Sequence, residues 1–239
     1  MNSNQTRPDS PYKYMISSCV ATSIAEIATL PICTVKTNYQ NTTGKSITAV
    51  TKDILRQYGV RGFYNASGWG IASQTLSTSS KYTLYKILTP YTDNSFVAGA
   101  ISGALSSMMT HPFDVVKVHY QMHTPFLPEF RKHGPFILYR GYSKTLPKAV
   151  LGSVMFFPLY DKFNLLVGNN IVAAVMSATV ATTILQPIDY MKTRHIYGQV
   201  VFSGWNPRPY FKGLSINLLR VVPHFMMIMT IIEYIKSVM

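Results

Sequence analysis

Two aspartates precede lysines by three residues in a pattern that occurs three times. Pro31-Ile-Cys-Thr-Val-Lys36, Pro112-Phe-Asp-Val-Val-Lys117 and Pro187-Ile-Asp-Tyr-Met-Lys192 stand 81 and 75 residues apart. Asp114 and Lys117 share a helix face, as do Asp189 and Lys192. The chemistry open to such residues is the making and breaking of ion pairs. In the first copy Cys33 takes the acid's place, with no histidine near it in sequence to make it a nucleophile. His111 with Asp114, and His119 with His123 at i and i+4, offer half of a metal site, but no third ligand of the right type stands nearby. No enzyme, metal or cofactor is expected.

Composition says where ion pairs of this kind would sit. Of 239 residues only 31 are charged, 22 basic and 9 acidic, and 47% are apolar. That is about half the charge of an ordinary soluble domain. A disordered chain would be more polar, and a soluble nucleic-acid binder would show a charged water-facing surface beside its basic patch. A membrane protein with polar groups lining its interior fits. Two cysteines make no disulfide framework. The start, Met1 to Pro11, is polar, so neither a signal peptide nor an Arg-rich presequence is expected.

Six membrane helices are expected, at about 13–40, 67–90, 94–122, 142–165, 169–196 and 214–238. None is a uniform Leu/Ile run; Ser, Thr, Ala, Gly and Met dominate, so polar residues must face inward. The connections after the first, third and fifth helices carry Lys45, Lys52, Arg56, Arg61, then Arg131, Lys132, Arg140, then Arg208 and Lys212. Those after the second and fourth carry no Lys or Arg. This places the three long loops on one "inside" face and both termini on the other.

The repeat extends beyond the lysine. Gln40 and Gln121 stand four residues after it, where the third copy has Ile196. Tyr64-Asn65-Ala66, Tyr139-Arg140-Gly141 and Phe211-Lys212-Gly213 form a second marker, preceded by Gly59 and Gly134 in the first two copies. Tyr85-Lys86, Tyr160-Asp161 and Ile232-Glu233 follow 21 residues after each aromatic. Small pairs, Ser18/Thr22, Gly99/Gly103 and Ala174/Ala178, precede the prolines and allow close helix approach. Pro31, Pro112 and Pro187 each remove a backbone hydrogen bond, so kinks should bring the odd helices together. Repeats are expected at 13–90, 94–165 and 169–238 of a single membrane domain.

These markers resemble the signature of the mitochondrial carrier family: Pro-x-acid-x-x-base on odd helices, then aromatic-base-glycine, then aromatic-acid-x-x-base on even helices. The resemblance runs from about Tyr14 to the C-terminus. It implies an all-α bundle of six transmembrane helices with pseudo-threefold symmetry in the inner mitochondrial membrane. It also implies alternating access between two gates around one central site, with no partner subunit required and cardiolipin as a lipid contact. The short chain further resembles a compact virus-encoded member, whose implied cargo is deoxynucleotides, dATP foremost; the membrane would then be a host cell's.

Carried over, the resemblance pairs Asp114 with Lys192 and Asp189 with Lys36 in a matrix gate. It leaves Lys117 without a partner because of Cys33, and puts Gln40 and Gln121 as braces. The incomplete ring should open easily or leak. A cytoplasmic gate would use Lys86, Asp161, Glu233 and Lys236, with Asp161–Lys236 its clearest pair. Lysines near helix ends can also snorkel to headgroups instead. Substrate contact points fall at Ser73, Lys148 and Arg220, with neighbours Gln74 and Ala149. Lys81 extends the positive track, and Glu26 projects toward the cavity to balance charge or take a substrate amine or hydroxyl. Two cations at this depth suit an anion. The plainer alternatives are a structural carboxylate pair for Arg220 and a headgroup-facing position for Lys148. Neither the nucleotide nor the keto-acid pattern of the family matches Lys148-Ala149. The site indicates a small anion, with a phosphate- or carboxylate-bearing cargo and a non-transporting scaffold as alternatives.

Overall fold

The computed structural model describes residues 11–88, 91–92, 95–202 and 204–238; side chains at 11–18, 82, 85, 86, 95, 96, 153, 156–158, 161, 170, 229, 232, 233 and 235–238 are outside that description. The α-helices are α1 (Pro11–Asn41), α2 (Ile47–Tyr58), α3 (Ser67–Leu88), α4 (Ser95–Gln121), α5 (Phe126–His133), α6 (Tyr142–Val167), α7 (Asn170–Tyr197) and α8 (Leu214–Val238). The six long ones are the expected spans, with ends within two residues of expectation. They pack in a closed ring, α1 on α3, then α4, α6, α7, α8 and back to α1. The odd helices α1, α4 and α7 also touch one another, and each continues as one helix through its proline.

The outer face is apolar. Val20, Ile24 and Ile27 on α1, Val97, Ile101 and Leu105 on α4, and Val172, Met176 and Ile184 on α7 are all exposed. Spacings of three, four and eight put each set on one helix face. Water would not tolerate such a continuous girdle, whereas lipid requires it. The inner face is polar. Thr22, Glu26, Thr29, Ser73, Ser80, Ser102 and Ser106 are buried. Neighbouring helices share hydroxyl contacts there, Ser23 with Thr75 at 3.4 Å and Ser80 with Ser106 at 2.6 Å.

Two of the expected loops contain short helices. Ser46 accepts a hydrogen bond from the Ala49 amide and starts α2. Val50 and Ile54 of α2 are buried with Val35 and Ile216, which holds the helix against the bundle. α2 and α5 end at Gly59 and Gly134 in nearly the same backbone conformation, φ 64°, ψ −166° and φ 66°, ψ −167°. Positive φ at both explains why the repeat keeps glycine there. Both glycines were visible in the sequence, but the helices they terminate were not expected.

The second marker seals helix ends across repeats. Lys212 donates to the Thr42 carbonyl just past α1. Asn65 Nδ2 donates to the Tyr120 carbonyl in the last turn of α4, at 3.0 Å. The Arg140 guanidinium lies over Gly198 at the end of α7, so close that a Cβ there would come within 2.0 Å of it. Asn65 satisfies an orphan carbonyl with a neutral amide, while Lys212 and Arg140 also bring a cation that opposes the helix dipole. In each case the sealing residue belongs to a different repeat from the helix it seals.

Candidate substrate site and gate

Three inward carboxylates, one on each odd helix, organise the end of the bundle where the odd helices meet; Glu26 and Asp189 are buried and Asp114 is half-buried. Asp114 of α4 takes Lys192 of α7 at 2.7 Å and the Ser73 hydroxyl of α3 at 2.5 Å. Asp189 of α7 takes Lys36 of α1 at 2.5 Å and Lys148 of α6. Glu26 of α1 takes Lys117 of α4 at 2.5 Å and Arg220 of α8 at 2.8 Å. Each acid thus accepts from a lysine on another odd helix and from a contact-point residue on an even helix. The three clusters follow one another around the ring.

Glu26 corrects the expectation that Lys117 lacks a partner. It lies seven residues before Cys33, two helical turns, and so on nearly the same face. Its side chain has no exposed surface and carries two cations. Gly70 of α3 leaves the space: a Cβ there would lie 3.2 Å from Glu26 Oε1 and 3.6 Å from Lys117 Cε. The corresponding positions in the other repeats are Thr145 and Asn217. Each of the three lysines, Lys36, Lys117 and Lys192, therefore has a carboxylate partner, and the expected leakiness loses its basis. An inward acid two turns from a missing one was the available signal. The cavity position that the sequence predicts for Glu26 leaves out its bond to Lys117.

Lys148 does not face headgroups; it lies on Asp189. Arg220 does have a carboxylate partner, Glu26, and its buried Nε has none among the described residues. Gln121 and Gln40 do not bond to the ion pairs. Gln121 donates to Cys33 Sγ at 3.3 Å and accepts from Thr37 at 2.8 Å. Gln40 donates to the Lys212 carbonyl at 3.4 Å and packs against Gly213. Lys81 is exposed and lies within electrostatic reach of Asp114 and Lys192, without a paired carboxylate among the described residues. Gln74 and Ala149 are half-buried beside Ser73 and Lys148. The side chains of Lys86, Asp161, Glu233 and Lys236, the expected cytoplasmic gate, lie outside the described residues.

The histidines considered for a metal are bonded to separate carbonyls. His111 Nε2 meets the Arg140 carbonyl at 3.1 Å, and His119 Nδ1 the Val115 carbonyl at 2.9 Å. His123 has left the helix, with φ 56°; it stacks on Tyr58 at 3.8 Å and meets the Gly62 carbonyl at 3.0 Å. Burial pushes the His123 imidazole below its ordinary range.

Comparison with known proteins agrees with this architecture. The family described as mitochondrial carrier protein matches residues 7–93 and 89–171. A mitochondrial carrier-like protein of Acanthamoeba polyphaga mimivirus is 46% identical over 230 residues, covering 95% of this chain and 97% of that protein. Mitochondrial substrate carrier family protein Z of Dictyostelium discoideum is 25% identical, covering 100% of this chain and 96% of its own length. The human mitochondrial electrogenic aspartate/glutamate antiporter is 24% identical over 91% of this chain and 39% of its own length. A closed six-helix ring with its charges turned inward, a threefold sequence signature and these matches have one account: the chain belongs to the mitochondrial carrier family, whose members are transporters of small metabolites.

Proposed function

We propose that the chain exchanges a multiply charged anionic metabolite, a nucleotide such as dATP, by alternating access across the inner mitochondrial membrane. The observation that carries this is a charge imbalance. Among the described residues, Lys36, Lys81, Lys117, Lys148, Lys192 and Arg220 surround Glu26, Asp114 and Asp189, six cations to three carboxylates. Surplus cations at membrane depth are costly unless water or a ligand neutralises them. A cargo with several negative charges does so, and a nucleoside triphosphate, with at least one charge on each phosphate, is of that kind. A singly charged amino acid, as the name of the aspartate/glutamate relative suggests for that protein, would leave most of the surplus.

Arg220 supports a phosphate group in particular, since a guanidinium grips such oxygens bidentately and its Nε–H is spare. Lys148 and Lys81 add point charges, and Ser73 and Gln74 add hydrogen-bonding groups to the same wall. The gate role of Lys36, Lys117 and Lys192 follows from their ion pairs near the ends of the odd helices. On the basic side, Arg208 and Lys212 beside Tyr39 line a cleft suited to the phosphates of cardiolipin. If the chain is virally encoded, the membrane is that of a host mitochondrion.

Uptake into proteoliposomes by the purified full chain tests the proposal, with deoxynucleotides, phosphate, keto acids and amino acids as cargo. Uptake of nucleotides, abolished in Arg220→Ala with folding retained, is expected. Preference for a singly charged cargo would refute the nucleotide reading, and silence across the panel would refute transport.

A further inference from the structure

The geometry points to Glu26 as the first repeat's gate acid, moved two turns toward the substrate site, where the transported anion must compete with it for Arg220. This rests on the proposed transport of an anion through the central site. In the other two repeats the acid stands two residues after the proline, as Asp114 and Asp189. In the first repeat Cys33 holds that position, and its sulfur accepts a hydrogen bond from Gln121. The acidic duty passes to Glu26. One of its oxygens holds the gate lysine Lys117, and the other holds Arg220.

The arrangement gives Glu26 two properties. Its carboxylate occupies the guanidinium that an incoming phosphate would grip, so it stands in for cargo when the site is empty. The same carboxylate also latches α1 to α4. An anion that takes Arg220 from Glu26 weakens one of the two bonds that fix the carboxylate, and the second bond is the latch. Occupancy and opening are then coupled through one side chain, and an empty carrier stays closed because its own acid fills the place of the cargo. Gly70 supports the assignment, since the small residue occurs in the repeat where the acid is displaced and clears the Glu26–Lys117 contact.

The test uses proteoliposomes containing the full chain, preloaded with labelled dATP. Two quantities are read: the apparent KM for exchange, and efflux into buffer that contains no counter-substrate. Glu26→Gln should lower KM about tenfold, because the competitor is gone, and raise the uncoupled efflux about tenfold, because the latch is gone. Cys33→Asp placed on Glu26→Gln returns an acid to its repeat position and should bring the efflux back toward the original level. An unchanged KM in Glu26→Gln overturns the competition, whatever the efflux does. Unchanged efflux overturns the latch. If Glu26→Gln does not fold, Glu26→Asp retains the charge but shortens the reach, and the same two shifts are expected in smaller measure; their absence overturns the inference. If the wild-type chain exchanges another anion of the panel instead of dATP, the nucleotide reading fails alone and the variants are tested with that anion.

Discussion

Gly70 and Glu26 meet closely across two helices: a Cβ at Gly70 would stand 3.2 Å from Glu26 Oε1, so the carboxylate would have to give by a few tenths of an ångström. The carboxylate is fixed by two cations and cannot retreat freely. Gly70→Ala should therefore act on the ion pair more than on the helix. Alanine stabilises a helix by about 0.5–1 kcal/mol over glycine, while overpacking a fixed site costs about 1–3 kcal/mol. The unfolding temperature should change little or fall slightly. Uncoupled efflux from proteoliposomes should rise, since Lys117 is crowded off its partner.

The Asp114–Lys192 pair can be weighed by a double-mutant cycle. Lys192→Gln leaves a carboxylate held by Ser73 and no adjacent ion pair, and Asp114→Asn leaves the lysine unpaired. Each single change should cost about 2–4 kcal/mol. The lower end is expected because the Asp114 side chain retains 25% exposure. The double variant should lose less than the sum of the singles, as contacting residues do. Thermal unfolding in detergent measures all four corners.

Lys81 offers the opposite case. Its removal breaks no ion pair among the described residues, so Lys81→Gln should leave the unfolding temperature nearly unchanged. It should raise the KM for a multiply charged anion by about tenfold, the equivalent of about 1.4 kcal/mol of lost attraction. The effect should shrink for a singly charged cargo and at high salt.

His123 makes a pH prediction at the basic face. Its imidazole is held below its ordinary value by burial, while it stacks on Tyr58. Unfolded, it titrates near 6.5, so between the folded and unfolded values the unfolded chain binds more protons. The contribution to stability is complete above about pH 6.5 and is lost as pH falls through the folded value. His123→Asn tolerates the positive φ but cannot titrate. Its unfolding temperature should fall less steeply between pH 7 and pH 5 than that of the parent chain.

How far the sequence reached depended on register. The six spans were legible to within two residues because glycines, loop charges and the repeated prolines bracket them. Lys192 on Asp114 and Lys36 on Asp189 lie where the repeat puts acid and base. Glu26 on Lys117 breaks register by seven residues, and a pattern that compares like positions cannot see a substitute two turns away. The short helices α2 and α5 were hidden for another reason. α2 is held by packing, Val50 and Ile54 against Val35 and Ile216, and α5 by the partly buried Phe126 against Val115, Val118 and Ile196; neither has an apolar run long enough to stand out.

The helix-end seals have a consequence for assembly. α4 is closed by Asn65 from upstream, and α7 by Arg140 from upstream, so both find their partners already synthesised. α1 is closed by Lys212, 170 residues later than the carbonyl it seals. The end of α1 is thus finished only when the loop before α8 is in place. Without Lys212, α1 would lose the donor to the carbonyl just past its end, so the third repeat supplies the clasp that closes the ring on the first.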